Sequence, residues 1–434
     1  IMRNSKCIQV FEYEHLRVGT IKDSVEFKKK HFRALVKLNE LHGNKYFTVG
    51  LDKITFKQYV GVLQVDDVCI EVLPKADRSS KNEDAWQKAL IEMLRVTKRL
   101  KVNQVDHANV TKQSKHLLDI YFEWYLKEVQ KLLHQGLIKN YYRKQGNLNT
   151  LKGKLVFAKQ VSQNLVHKER FYTEHQVYDK DHLIHQILNQ ALCIIEQFTR
   201  GGYLYGKCKT IQLDFPKVKS INATAATFDK LVLGRKEQSY TTALEIARLI
   251  ILNFAPNVKS GSEKMIALLF NMNNLWEEYI LVQLKKAFRD DEVQVLGQRS
   301  KKLWNDISIR PDIVIKRGEK TAMIIDTKWK IIDYNKPSTN DLRQMYVYNE
   351  YWQAPVALLL YPSTQGTKVD VSPFKEIEGI PKQRCGLAWV NVLNEDKENT
   401  INRELGTTFK AKIEEVLRKL NRDEEMKGFL KIEQ

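Results

Sequence analysis

Cysteine is scarce and scattered in this 434-residue chain: Cys7, Cys69, Cys193, Cys208 and Cys385 form no CxxC pair. Such a set excludes a paired-thiolate zinc site and argues against a disulfide framework, so five structural thiols in a reducing cytoplasm are expected. Long apolar runs are also missing. The best of them, Ala247 to Phe254, is broken by Arg248 and falls well short of the roughly 18 residues that span a bilayer. Ile1 to Lys6 supply no apolar signal segment. The ten histidines include no HxxxH or HExxH arrangement, and no serine sits in a glycine-flanked elbow. Histidine-zinc hydrolases and Ser-His-Asp enzymes are thereby set aside. No internal repeat or low-complexity tract is present.

Acidic residues are outnumbered. Against 71 Lys and Arg stand 52 Asp and Glu, a formal net charge of +19, and the pI is near 9.4. A field of that sign favours polyanionic partners, and without a membrane segment nucleic acid is the natural one. The apolar share of 43% suffices for packed cores, and the length exceeds what one core usually serves, so more than one domain is expected.

The first third reads as a small β-rich domain with helices. Cys7 to Tyr13 and Lys45 to Phe56 have strand character. Tyr59 to Lys75 reads as a hairpin with Asp66-Asp67 at its turn and Pro74 as its stop. Lys28-Lys29-Lys30-His31 reads as a solvated helix face. Helical spacing marks Asp84 to Arg99, Ser114 to Gln135, His182 to Phe198, Thr242 to Asn253 and Asn257 to Arg289 after a loop at Lys259 to Ser262. The charged tail Lys410 to Lys431 reads as a further amphipathic helix. Tyr141 to Tyr178 differs from its surroundings. It is rich in Lys, Gln, Asn and Tyr, punctuated by Gly146 and Gly153, and too poor in apolar residues to form its own core. It is expected to project from the body, with Lys139, Arg143, Lys144, Lys152, Lys154 and Lys159 available to a partner.

Gly201 to Cys208 has the glycine and lysine spacing of a phosphate loop, but Cys208 stands where a hydroxyl must reach Mg²⁺. It also follows a helix where a strand is required. No nucleotide is expected on this chain.

Chemistry concentrates later. Ile309 to Ile315 and Met323 to Lys328 read as two apolar strands joined by a polar turn, with Pro311-Asp312 opening the first and Asp326-Thr327-Lys328 closing the second. Strand alternation puts Asp326 and Lys328 on one face and turns Thr327 away. Phosphodiester hydrolysis needs a hard cation on oxygen ligands, an activated water and cations to meet the growing charge. Asp312 and Asp326 supply ligands for Mg²⁺, and Lys328 supplies the cation. Glu277, on the preceding helix, is the third candidate acid, since its neighbour Glu278 cannot share its direction. Gln344 and Tyr348 are four apart on a helix for which Asp341 is the expected N-cap, so they lie on one face and can align the site. The Glu-x-Lys sets at Glu26-Phe27-Lys28 and Glu395-Asp396-Lys397 end no apolar strand and carry no such signal. Ala354 to Leu360 and Leu387 to Leu393 complete the expected strands.

These residues resemble the PD-(D/E)xK nuclease superfamily. More broadly, Tyr59-Val60-Gly61-Val62, Ile70 to Lys75 and Leu275-Trp276-Glu277 with Tyr279-Ile280 resemble the McrC subunit family of McrBC-type modified-cytosine restriction systems, with Trp276 in place of the usual Phe. That resemblance implies a mixed α/β and α+β chain. Residues 1–180 would bind and activate a partner ring. Residues 181–434 would hold a helical connection and a restriction-endonuclease-like mixed sheet flanked by helices. It further implies a cytoplasmic, Mg²⁺-dependent DNA endonuclease, with Asp312, Asp326 and Glu277 as metal ligands and Lys328, Gln344 and Tyr348 beside them. Its partners would be double-stranded DNA carrying modified cytosine and a hexameric McrB-like AAA+ ring that hydrolyses GTP. The alternatives are a non-catalytic adaptor of such a ring, or a nuclease of a related defence system with a different DNA sensor.

Overall fold

A computed structural model describes residues 7–22, 24–65, 68–75, 82–99, 116–255, 264–289, 291–330, 332, 336–375, 383–394 and 401–430, with backbone only at Ala255 and 423–430. The expected turn at Asp66-Asp67, the loop at Lys259 to Ser262 and the outermost residues Ser114 and Lys431 of two expected helices lie outside these residues. The chain divides into two compact units that interleave along the sequence. The first is Ile1–Lys6, Gln64–Cys69 and Ala108–Leu268, and the second is Cys7–Leu63, Ile70–His107 and Leu269–Gln434. The boundary expected at residue 180 falls inside the first of these units. Among the described residues no helix is long and apolar enough to cross a membrane.

The first unit is helical around Leu117–Gln135, Leu183–Thr199, Tyr203–Asp214 and Thr241–Leu252. Tyr121, Phe122, Leu126, Ile187, Leu188 and Ile250 recur at helical spacing and are buried. The Tyr125 hydroxyl, buried with them, donates to the Leu188 carbonyl at 2.7 Å. The Gly201 to Cys208 segment forms no phosphate cradle: Gly202 caps Tyr203–Asp214, and Gly206, Lys207 and Cys208 lie inside that helix.

Asn140–Leu148 pairs antiparallel with Phe171–Asp179 along its whole length, and a short helix, Phe157–Asn164, sits between them in sequence. Throughout residues 140–179 only Asn164 and Thr173 are buried, so the segment is the expected arm. Amides replace an apolar core. Asn147 and Asn164 exchange two hydrogen bonds of 2.7 and 2.8 Å, and Gln160 bonds the Arg170 carbonyl at 2.7 Å and accepts from the Tyr172 amide. The basic side chains at 139, 143, 144, 152, 154 and 159 are all exposed.

In the second unit, helix Lys29–Leu41 buries His31 along with Ala34, Leu35 and Leu38, which corrects the expectation that Lys28 to His31 is wholly solvated. The ring at 31 falls on the apolar stripe set by 34, 35 and 38. Of the cysteines, Cys193, Cys208 and Cys385 are free thiols, with Cys193 exposed. Cys7 and Cys69 are half-cystines, so the expectation of five reduced thiols fails. Cysteines so far apart in sequence carry no spacing signal.

Among the described residues, the helix expected after the Lys259 to Ser262 loop begins at Met272. Met265–Asn271 is a strand, because a short apolar run reads equally as buried strand or buried helix. The Asn271 side chain then caps α1 (Met272–Ala287), accepting from the amides of Asn273 and Asn274 at 3.0 and 3.3 Å. Beyond it come β1 (Val293–Gly297), β2 (Ile313–Arg317), β3 (Lys320–Thr327), α2 (Thr339–Trp352), β4 (Val356–Ser363), β5 (Lys368–Pro373), β6 (Arg384–Asn391) and α3 (Leu405–Leu430). The strands form one sheet in the order β1-β2-β3-β4-β6-β5. β3 and β4 are parallel, joined through α2, and β4 is parallel to β6, whereas the other neighbours are antiparallel. Such parallel central strands need apolar residues on both faces, which Ile324, Ile325, Leu358, Leu359 and Leu360 provide. The chain is thus a mixed α/β protein with N- and C-terminal subdomains. A separate two-stranded hairpin, Lys301–Trp304 with Ile307–Ile309, was not legible in the sequence.

Gly153 tests how the arm is held. Its φ is +74°, and a Cβ there would run into the Glu174 carbonyl and the His175 backbone. Gly153→Ala is expected to loosen the arm by about 1–3 kcal/mol, seen as faster amide hydrogen exchange in 140–148 and 171–179 with unchanged protection in 183–199.

Candidate active site

Register brings the first two acids together. In the β2–β3 pair Ile313 stands opposite Ile325, so one step further out Asp312 meets Asp326. Like charges directly opposite repel, and the site is arranged around that repulsion. The Thr327 amide and hydroxyl both donate to Asp312 Oδ2, at 2.7 and 2.8 Å. Lys328 Nζ lies 2.6 Å from Asp326 Oδ2. Asp326 is only 3% exposed.

Burial is the main cause of the shifted acidities. Together with the charge of Asp312 it pushes Asp326 up to about 6, against the pull of Lys328. Asp312 is also raised, burial outweighing the Thr327 hydrogen bonds and Lys328. Glu277 is raised by burial and then by Asp312, while the Gln298 hydrogen bond lowers it. Burial would depress Lys328, yet Asp326, Asp341 and Asp312 together lift it, so the ammonium is secure. Burial thus makes all three carboxylates harder to ionise, while the Lys328 ammonium among them stays charged.

α2 supplies the second layer. Gln344 Oε1 accepts from Lys328 Nζ at 3.2 Å, Gln344 Nε2 donates to the Tyr348 hydroxyl at 2.8 Å, and that hydroxyl donates to the Arg310 carbonyl at 2.9 Å. Gln344 and Tyr348 thus link Lys328 to the segment before β2 that carries Asp312. Ser338, not Asp341, is the N-cap, because its hydroxyl accepts from the Asp341 amide at 3.1 Å. Asp341, freed from capping, pairs with Lys330 at 2.6 Å and stands 3.8 Å from Lys328. Glu277 on α1 accepts from Gln298 Nε2 at 2.6 Å. Glu278 turns elsewhere and pairs with Arg99 at 2.6 Å, as its direction on the helix requires.

All six residues singled out in the sequence therefore lie around one end of β2 and β3. The donor set is all oxygen, with an ammonium beside it, which suits a hard divalent cation. Among the described residues, Glu277, Asp312 and Asp326 do not form a group whose ligand oxygens all lie within 4.8 Å of one another.

Sequence reasoning missed what supports Lys328. Thr327, expected to point away, is what fixes Asp312. Trp329 is buried between Trp276 and Trp86, with ring centroids at 5.1 and 6.4 Å, and its indole N–H donates to Glu12 Oε1. The same oxygen accepts from the Lys75 amide at 2.9 Å. Trp276 and Trp329 each adjoin a candidate site residue, Glu277 and Lys328. N-terminal residues Glu12 and Trp86 thereby brace the site, a relation that no local spacing signals.

Burial pushes Glu12 up to about 7, ahead of the two hydrogen bonds that lower it. A raised carboxylate favours the proton-bound fold, so its contribution is intact in acid and is lost as pH rises from the unfolded value through 7. Urea unfolding of wild type and Glu12→Gln should show the wild type losing on the order of 3 kcal/mol relative to the variant between pH 4.5 and 7.5. A flat difference across that window would place the proton elsewhere.

Comparison with curated proteins returned no match. Among solved structures the chain is similar to one in the refined half-complex from the tetradecameric assembly of Thermococcus gammatolerans McrB AAA+ hexamers with bound McrC. The TM-score is 0.68 and the identity 20%, over 96% of this chain and 99% of that one. A second similarity, to the cryo-EM structure of the Thermococcus gammatolerans McrBC complex, has a TM-score of 0.49 and 20% identity over 65% of this chain and 88% of that one. At such identities the likeness concerns the fold. The model of the McrBC 5-methylcytosine restriction system component family matches residues 54–362, well over half of the sequence, and this chain belongs to that family.

Proposed function

We propose that this chain is the Mg²⁺-dependent endonuclease subunit of a modification-dependent restriction complex. One observation carries the reading: Asp312, Asp326 and Lys328 converge at the end of an antiparallel strand pair, with Gln344 and Tyr348 holding the lysine from α2. The mixed sheet with its β3-α2-β4 crossover supports a PD-(D/E)xK-type domain. Asp312 and Asp326 would hold the cation, with Glu277 as a third oxygen donor, and the cation would supply Lewis acidity toward the phosphodiester.

The chain's own groups have separable tasks. Lys328, kept protonated by its acidic neighbours, presents a positive charge where a scissile phosphate gains negative charge. Gln344 fixes its direction, and the Thr327 donors keep Asp312 from swinging away from Asp326. Burial raises the proton affinity of Glu277 and pushes Asp326 up to about 6, which suits acceptance of a proton from an attacking water.

The family and the fold likeness to a chain from an assembly of AAA+ hexamers support a McrB-like ring as partner, with GTP on that ring and duplex DNA bearing modified cytosine as substrate. We assign the ring contact to the arm. Besides its exposed lysines and arginines it presents Phe157, Val161 and Leu165, which are 73, 61 and 71% exposed and follow one another at one-turn spacing. An apolar stripe rimmed by cations is a surface awaiting a partner.

Two measurements test these assignments. Asp326→Ala should lower DNA cleavage in Mg²⁺ with the ring by several powers of ten while leaving NTPase stimulation near wild type. Persistent cleavage would move the site, and a wild type that never cuts, whatever ring is supplied, would favour the adaptor reading. Replacing Arg143, Lys144, Lys152 and Lys154 with alanine should cost within about 0.5 kcal/mol of stability per site but weaken ring binding and NTPase stimulation. Unchanged stimulation would leave the contact to the apolar stripe.

A further inference from the structure

The Lys301–Ile309 hairpin is a ribbon with neither face packed. Every residue from Lys301 to Ser308 is exposed, including Leu303, Trp304 and Ile307 at 39, 67 and 54%. Trp304 and Ile307 pair across the strands at the tip, closed by Asn305 with φ +46° and Asp306. A lone two-stranded hairpin is marginal in water, but this one is tied at its root to α2. Lys301 Nζ donates to the Tyr351 carbonyl at 2.6 Å and lies 5.0 Å over the Trp352 ring. The Tyr351 hydroxyl reaches the Leu303 carbonyl at 3.4 Å. The ribbon is thus held in shape while its apolar tip is left bare.

Position and charge name the partner. The second strand runs through Arg310 and Pro311 directly into Asp312, so Ile307 is within five residues, at most about 18 Å, of the first candidate metal ligand. Residues 298–311 contain four cations, Arg299, Lys301, Lys302 and Arg310, against the single acid Asp306. A second copy of a chain with net charge +19 would be repelled from such a surface. A two-stranded ribbon fits the major groove of a duplex, and bare apolar side chains flanked by cations wedge against base steps.

We propose that this hairpin is a duplex-DNA-contacting ribbon: Trp304 and Ile307 enter a groove beside the scissile phosphate while Arg299 and Lys302 meet the backbone. The assignment rests on the nuclease reading for the identity of the polyanion. It adds a surface that grips DNA independently of the metal ligands.

Trp304 also makes the test selective. Of the seven tryptophans it is the exposed one, the rest being buried or half-buried. Acrylamide quenching of the full chain, in EDTA and with a 20-base-pair duplex, therefore reports on the tip. The expected result is a fall in the accessible emission on Trp304→Phe, and at least a twofold loss of quenching when duplex saturates the wild type. Lys302→Ala combined with Trp304→Ala should weaken duplex binding about tenfold with an unchanged thermal melt. Quenching indifferent to saturating DNA, no duplex binding by the full chain, or protection that grows with protein concentration in the absence of DNA would each overturn the proposal. If Trp304 is shielded by DNA but the chain cuts nothing with any ring, the nuclease reading falls and the ribbon stands.

Discussion

A carboxylate 3% exposed at the end of a strand of isoleucines is costly unless its charge is matched, and the C-terminal domain is organised around matching the charge on Asp326. Lys328 does so at 2.6 Å, but a lysine two residues on can reach back only if its own backbone is fixed. The Lys328 amide donates to the Leu360 carbonyl at 2.8 Å, which extends the β3–β4 ladder one residue past the strand. The parallel partner β4 is placed by α2, and α2 brings Gln344 against the same ammonium. Asp312, set opposite Asp326 by register, keeps the match incomplete.

The stability of this arrangement is drawn from outside the sheet. Lys328 and Glu277 each neighbour a tryptophan that is buried, and Trp276 and Trp329 pack edge to face at 5.1 Å. Trp86, from helix Glu83–Val96, closes on the same indole. The polar edge of Trp329 is satisfied by Glu12, whose burial explains why it holds its proton so far above the usual carboxylate range. The consequence is functional. A change that disturbs the turn bearing Glu12 or the helix bearing Trp86 acts on the residue next to Lys328, through the indole hydrogen bond in the first case and the ring contact in the second.

The arm shows the opposite economy. With almost nothing buried, it is held by strand pairing and by an amide cluster around Asn164, and it leaves apolar and basic side chains facing water. The Lys301–Ile309 ribbon repeats the pattern on a smaller scale, anchored by hydrogen bonds to α2 and bare at its tip. In both, polar contacts fix the backbone so that apolar side chains remain free for something other than folding.

The candidate site was legible because its chemistry is local: Pro311-Asp312 and Asp326-x-Lys328 each sit at the end of an apolar run, and period-two alternation fixes which side chains share a face. Helix spacing likewise marked Gln344 with Tyr348 and separated Glu277 from Glu278. The arm was legible as a composition too polar to fold on its own core. Met265 to Asn271 was misread, because seven apolar-rich residues carry no period long enough to separate strand from helix. Ser338 took the cap expected of Asp341, since both residue types serve and only the chain path toward Lys330 decides between them. Glu12, Trp86 and Thr327 had no local signal, for their roles arise from contacts between segments distant in sequence. The sequence by itself determined which groups are candidates for chemistry and which strand ends carry them. Only the tertiary structure decided what holds those groups still, because bracing is a matter of packing and hydrogen-bond direction in space, which spacing along a chain does not encode.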